Sequence, residues 1–69
     1  MNSDWLKGQW HQVKGEVKNQ WGKLTDDDLM RIEGNTEKLI GSIQQRYGYE
    51  RARAEEEVRR WESQYASKP

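Results

Sequence analysis

The chain has 69 residues and a mass of 8.3 kDa, enough for one small domain with a single core. Apolar residues make up 32% of it against 35% charged, mean hydropathy is −1.34, and Leu, Ile and Val together number ten, a poverty that by itself favours disorder. Against that, 12 basic residues balance 12 acidic ones, and four Trp with three Tyr supply large buriable surfaces; the expectation is a folded domain of small stability margin over residues 1–66 with a frayed tail at 67–69.

The first predicted helix starts after Ser3, a good N-cap, with Asp4 at the positive end of the dipole. Leu6, Trp10, Val13, Val17 and Trp21 follow steps of 4, 3, 4 and 4, one apolar stripe, and Gly22 is placed as the stop residue with positive φ. Gly8 and Gly15 lie away from the stripe, so a kink or fraying before residue 15 is expected. Gly15 and Gly41 are each either a point of close backbone approach or a tolerated exposed glycine. Residues 24–29, LTDDDL, read as an N-terminal signature. Thr25 caps, Asp28 at N3 replaces the usual Glu, and Leu24 staples onto Leu29. That second helix is expected to reach Glu33 and stop at Gly34, with Leu29, Met30 and Ile32 facing inward.

A third helix is expected from Asn35 or Thr36, burying Leu39, Ile40, Ile43 and Tyr47 and stopping at Gly48. The fourth, from about Glu50 to Tyr65, places Ala54, Val58, Trp61 and Tyr65 on one face and pairs Glu55 with Arg59 and Glu56 with Arg60 on the other. Glycines at 8, 15 and 22 recur at 34, 41 and 48, and the same offset aligns Val13 with Leu39, Val17 with Ile43 and Trp21 with Tyr47. Read as a repeat, this predicts an all-α fold of four helices, two packed hairpins related by a pseudo-twofold. Trp10, Trp21, Gly22, Leu24, Thr25, Asp28, Leu29, Tyr47, Gly48, Val58 and Trp61 carry its structure.

The segments KGEVK at 14–18, QWGKLTDDD at 20–28, IEG at 32–34, RYGYE at 46–50 and Trp61-Glu62 together resemble the CsbD-like family of small hydrophilic bacterial general-stress proteins. The resemblance runs through nearly the whole chain. It implies a SAM-domain-like arrangement of the helical hairpins and expression under stress, and it implies no catalytic activity. The chain departs from the family's common pattern at His11, where a lysine is usual, and at Val13, where an aromatic is usual.

Little else in the sequence points to chemistry. There is no cysteine, hence no disulfide, zinc–thiolate site or thiol nucleophile, and His11 is the only histidine, so no enzyme and no cofactor are expected. Asp26, Asp27 and Asp28 successively point about 100° apart on a helix and do not converge on a metal; their position at a helix N-terminus accounts for their charge. Lys7, His11, Lys14 and Lys18 form a basic stripe beside the apolar face of the first helix. It is either a solvated edge of the core or a weak surface for phosphate or an acidic partner. Trp5 lies off the apolar stripe, where it is either an exposed contact residue or part of a frayed end. Zero net charge argues against nucleic acid, the absence of any apolar run near 20 residues or of a signal-peptide core argues for a cytoplasmic, membrane-free protein, and a monomer is expected. Two functions remain: a small folded interaction module for a protein partner or, more weakly, for nucleic acid, or a hydrated shield acting through composition alone.

Overall fold

The computed structural model describes residues 3–66, with side chains over residues 5–65. Four helices and no strand lie in that range: α1 (Ser3–Gln20), α2 (Asp26–Ile32), α3 (Thr36–Tyr47) and α4 (Arg51–Ala66). The helix begins at Ser3 itself; the expected Ser3 and Asp4 side-chain roles and the tail at 67–69 fall outside the described residues.

Helix α1 is unbroken through Gly8 and Gly15, contrary to the expected fraying, and buries Leu6, Val13 and Val17 completely. Trp21 follows them into the core, whereas Trp10 is only half-buried. The chain leaves α1 without a left-handed residue. Trp21 N–H donates to the Val17 carbonyl at 2.9 Å and Leu24 N–H to the Trp21 carbonyl at 3.0 Å, a turn that gives Gly22 no need of positive φ.

Helix α2 has seven residues, too few to persist on its own propensity. Its start is fixed as the LTDDDL pattern implies: Thr25 Oγ1 accepts from Asp28 N–H at 3.1 Å, and Asp28 Oδ2 accepts from Thr25 N–H at 2.9 Å. Leu24 and Leu29 flank this box in the core. Met30 does not face inward but is 69% exposed. The inward face is taken by Asp28, Leu29 and Ile32, and Met30 lies two residues from both Asp28 and Ile32, which turns it to the opposite side.

The helix ends one residue earlier than expected, at a left-handed Glu33 (φ 46°) followed by Gly34 (φ 82°). Here the backbone makes the close approach considered for Gly15 and Gly41. A Cβ on Gly34 would stand 2.7 Å from Lys7 Cα and 3.0 Å from Trp10 Cβ, whereas one on Gly15 or Gly41 meets nothing within 4 Å. Asn35 then caps α3, its Oδ1 accepting from Lys38 N–H at 3.0 Å, and Gly48 ends that helix at φ 71°.

Helix α3 is the hub, packed chiefly on α4 and also against α2 and α1. It contributes Leu39, Ile40 and Ile43; α4 contributes Ala54, Val58 and Trp61. Trp61 sits amid rings, 5.6 Å from Trp21, 6.2 Å from Trp5 and 5.7 Å from Tyr65. Trp5 is thus half-buried against α4 rather than an exposed contact residue, because α4 supplies the neighbours that its own helix stripe lacks. Outside the core, Glu56 pairs with Arg60 at 3.0 Å as expected, while Glu55 turns to Arg51 at 3.6 Å instead of Arg59. The repeat shows unevenly. Val13, Val17, Leu39 and Ile43 are all buried, yet Tyr47 is half-buried where Trp21 is buried, and Gly48 is left-handed where Gly22 is not.

Two glycine substitutions with opposite signs follow from this geometry. Gly34→Ala combines positive φ with backbone overlap and should lower stability by about 2 kcal/mol or more, whereas Gly15→Ala, helical and in open space, should raise it by about 0.5–1 kcal/mol. Paired thermal melts check both; equal effects would show that α1 does not cross the chain at residue 34.

Candidate functional site

Lys7, His11, Lys14 and Lys18 are all exposed along α1. The basic stripe does not stand alone, because α2 lies beside it and carries the opposite charge. Lys18 Nζ donates to Asp26 Oδ1 at 2.8 Å, which holds the Asp26 carboxyl below its ordinary range. Between the two helices runs an open groove of about 470 Å³. Trp10, Lys14, Gly15 and Lys18 form its α1 side. Asp26, Leu29, Met30 and Glu33 form the other. Its apolar lining comes from the half-buried Trp10, the edge of Leu29 and the exposed Met30, with Gly15 adding no side chain. An apolar recess with cations on one wall and anions on the other can hold a protein surface of mixed charge.

The position of α2, and so of that acidic wall, depends on Asp28. Its side chain is 2% exposed and accepts from two arginines besides capping the helix. Arg46 of α3 donates from Nε to Oδ2 at 2.8 Å and from Nη2 to Oδ1 at 3.1 Å, and Arg31 donates from Nη2 to Oδ1 at 2.7 Å. The Arg46 hydrogen bonds first, then the Thr25 N–H, hold this carboxyl far below its usual range against the opposing effect of burial. With every lone-pair direction engaged by N–H donors, Asp28 is a structural anion, not a metal ligand. Among the described residues no three His, Asp or Glu side chains gather in a metal-binding cluster.

The remaining polar contacts brace the fold. Trp21 Nε1 donates to Glu57 Oε1 at 3.1 Å, and Arg51 Nη2 donates to both carboxylate oxygens of Glu37, at 2.7 and 2.6 Å. Around the YGYE turn, Tyr47 and Tyr49 stack at 5.2 Å, with Lys23 over the first ring and Arg53 over the second. Glu62 on α4 is 3% exposed, its Oε2 has no partner among the described residues, and burial pushes its carboxyl up. Of the residues singled out from sequence, the structure gathers Trp10, Lys14, Lys18 and Leu29 at the groove; Lys7 and His11 do not line it. Met30 and Glu33 on the far wall, and Arg31 and Arg46 that hold α2 through Asp28, are not marked as site residues by the sequence pattern. For Arg31 a usable signal was present, its i,i+3 spacing from Asp28 at the start of an acidic helix.

The family model described as CsbD-like matches residues 4–56. A UPF0337 protein of Pectobacterium atrosepticum is 57% identical over 65 residues, covering 94% of each chain. The UPF0337 protein YjbJ of Escherichia coli K12 is 57% identical over 63 residues, 91% of each, and a UPF0337 protein of Pseudomonas aeruginosa is 54% identical over 59 residues, 86% of this chain and 91% of the other. None of these names carries an activity.

The two buried carboxylates should leave opposite signatures in pH. Asp28 is depressed in the fold, so the unfolded chain takes up the proton first; its contribution is whole above about pH 5 and is lost as pH falls below about 4 toward the folded value. Glu62 is raised, so its contribution is present in acid and is lost as pH rises through the folded value. In melts across this range, Asp28→Asn should flatten the acid limb, and Glu62→Gln should raise Tm at neutral pH with the gain vanishing in acid. Parallel pH curves for wild type and Asp28→Asn would remove Asp28 from its role.

Proposed function

Because the chain belongs to the CsbD-like family, we propose that it is a non-enzymatic, cytoplasmic protein of the bacterial general stress response that works as a small folded interaction module. The stress role is what the family resemblance implies. The modular character rests on one observation: a chain with mean hydropathy −1.34 nonetheless keeps Trp10, Leu29 and Met30 together in one groove between walls of opposite charge. Lys7 and His11 extend the basic wall beyond the groove. Supporting the same reading, none of the helices is long and apolar enough to cross a membrane among the described residues.

The two-hairpin, SAM-domain-like arrangement belongs to this reading. The burial of Val13 and Val17 in α1, and of the offset-matched Leu39 and Ile43 in α3, supports it. A nucleic-acid partner is disfavoured by zero net charge and by Asp26 beside Lys18. The hydrated shield is the second reading, favoured by the 35% charged composition.

The two readings separate on whether protection needs the fold. Trp61→Ala removes a buried ring that touches Trp5, Trp21 and Tyr65, at a cost of about 3–5 kcal/mol, and leaves composition almost untouched. A labile reporter enzyme followed through osmotic shock, in cells matched for protein abundance, should lose its protection with this variant. Equal protection by the unfolded variant would leave the shield standing and sink the module.

A further inference from the structure

We infer that the α1–α2 groove is closed by a second copy of this chain, in a weak isologous dimer whose twofold axis runs along the groove; this rests on the reading of that surface as an interaction site. The shape of the surface suits a copy of itself. One face carries both an apolar projection, Met30 at 69% exposure, and an apolar recess lined by Trp10, Gly15 and Leu29. A surface that holds both knob and hole is complementary to itself, as an isologous interface requires.

The charges on the two walls fix the orientation. Lys14 on the α1 wall and Glu33 on the α2 wall both line the groove, and neither is in an ion pair among the described residues. A twofold axis along the groove lays α1 of each copy over α2 of the other, so the wall that carries Lys14 in one copy faces the wall that carries Glu33 in its partner, twice over. An axis across the groove would set α1 on α1 and cation on cation. The charges therefore select the first arrangement. Zero net charge leaves no long-range repulsion between copies to oppose it.

The exposed surface of the chain totals 4766 Å². A stable interface takes about 800 Å² from each partner, more than one short groove supplies, so the association is weak and shows only at high protein concentration. The monomer expected from sequence is then the dilute form, and the dimer appears as the protein accumulates.

Sedimentation equilibrium from about 20 μM to about 2 mM tests this at low salt, with circular dichroism to verify that each variant is folded. Wild type should associate, and Met30→Ser, Lys14→Glu and Glu33→Lys should each weaken association about tenfold or more. The discriminating sample is an equimolar mixture of Lys14→Glu with Glu33→Lys. In the mixed dimer every reversed charge faces its opposite, so association should return to the wild-type level although each variant alone associates about tenfold more weakly. Wild type that stays monomeric at the highest concentration, or a mixture no better than its components, overturns the dimer. Either result leaves the module reading to the Trp61→Ala protection experiment, which does not depend on dimerisation.

Discussion

One carboxylate does several jobs at once in this fold. Asp28 closes the N-terminus of α2 through Thr25, meets Arg31 one turn along the same helix, and takes a two-point grip from Arg46 on α3. A seven-residue helix gains little from propensity, so its position must come from contacts outside itself. Those contacts are the Asp28 hydrogen bonds on one side and Leu29 and Ile32 in the core on the other. Burying a carboxylate is costly unless donors replace water, and here the donors come from two helices and a turn. Because Arg46 remains 39% exposed, the cluster keeps one side in solvent and avoids the full penalty of a buried ion pair.

From that anchor the geometry of the surface follows. With α2 held on α3, the left-handed pair Glu33 and Gly34 brings the chain back against Lys7 and Trp10 of α1. The contact at residue 34 fixes one end of the α1–α2 groove, and Lys18 with Asp26 fixes the other. What lies between is a recess whose two walls come from helices of opposite charge, on a chain with no net charge of its own. Local separation of charge within a neutral protein favours short-range, oriented contact over electrostatic attraction at a distance.

How much of this was legible in the sequence depends on whether the deciding contact is local. Helix existence, the Thr25–Asp28 box, the Asn35 start and the Gly48 stop are set within a few residues, and the sequence displays them directly. Met30 faces outward because Asp28 holds the inward position, a matter of helical angle that apolar character alone does not display. Trp5, Arg46 and Gly34 depend on partners 56, 18 and 27 positions away in the chain, at Trp61, Asp28 and Lys7. Nothing in their own neighbourhoods announces those contacts. The basic stripe was visible as a stripe, but the acidic wall that turns it into one side of a groove needed the third dimension.

The account rests most heavily on Asp28 and Arg46 acting as a unit that docks α2 on α3. A double-mutant cycle with Asp28→Asn, Arg46→Gln and both together, read as unfolding free energies at neutral pH, measures that unit directly. The predicted result is a coupling larger than the roughly 0.2–1 kcal/mol of exposed ion pairs, accompanied by loss of amide protection across residues 26–32 in each single variant. Coupling within that range, with protection of α2 unchanged, would contradict the account.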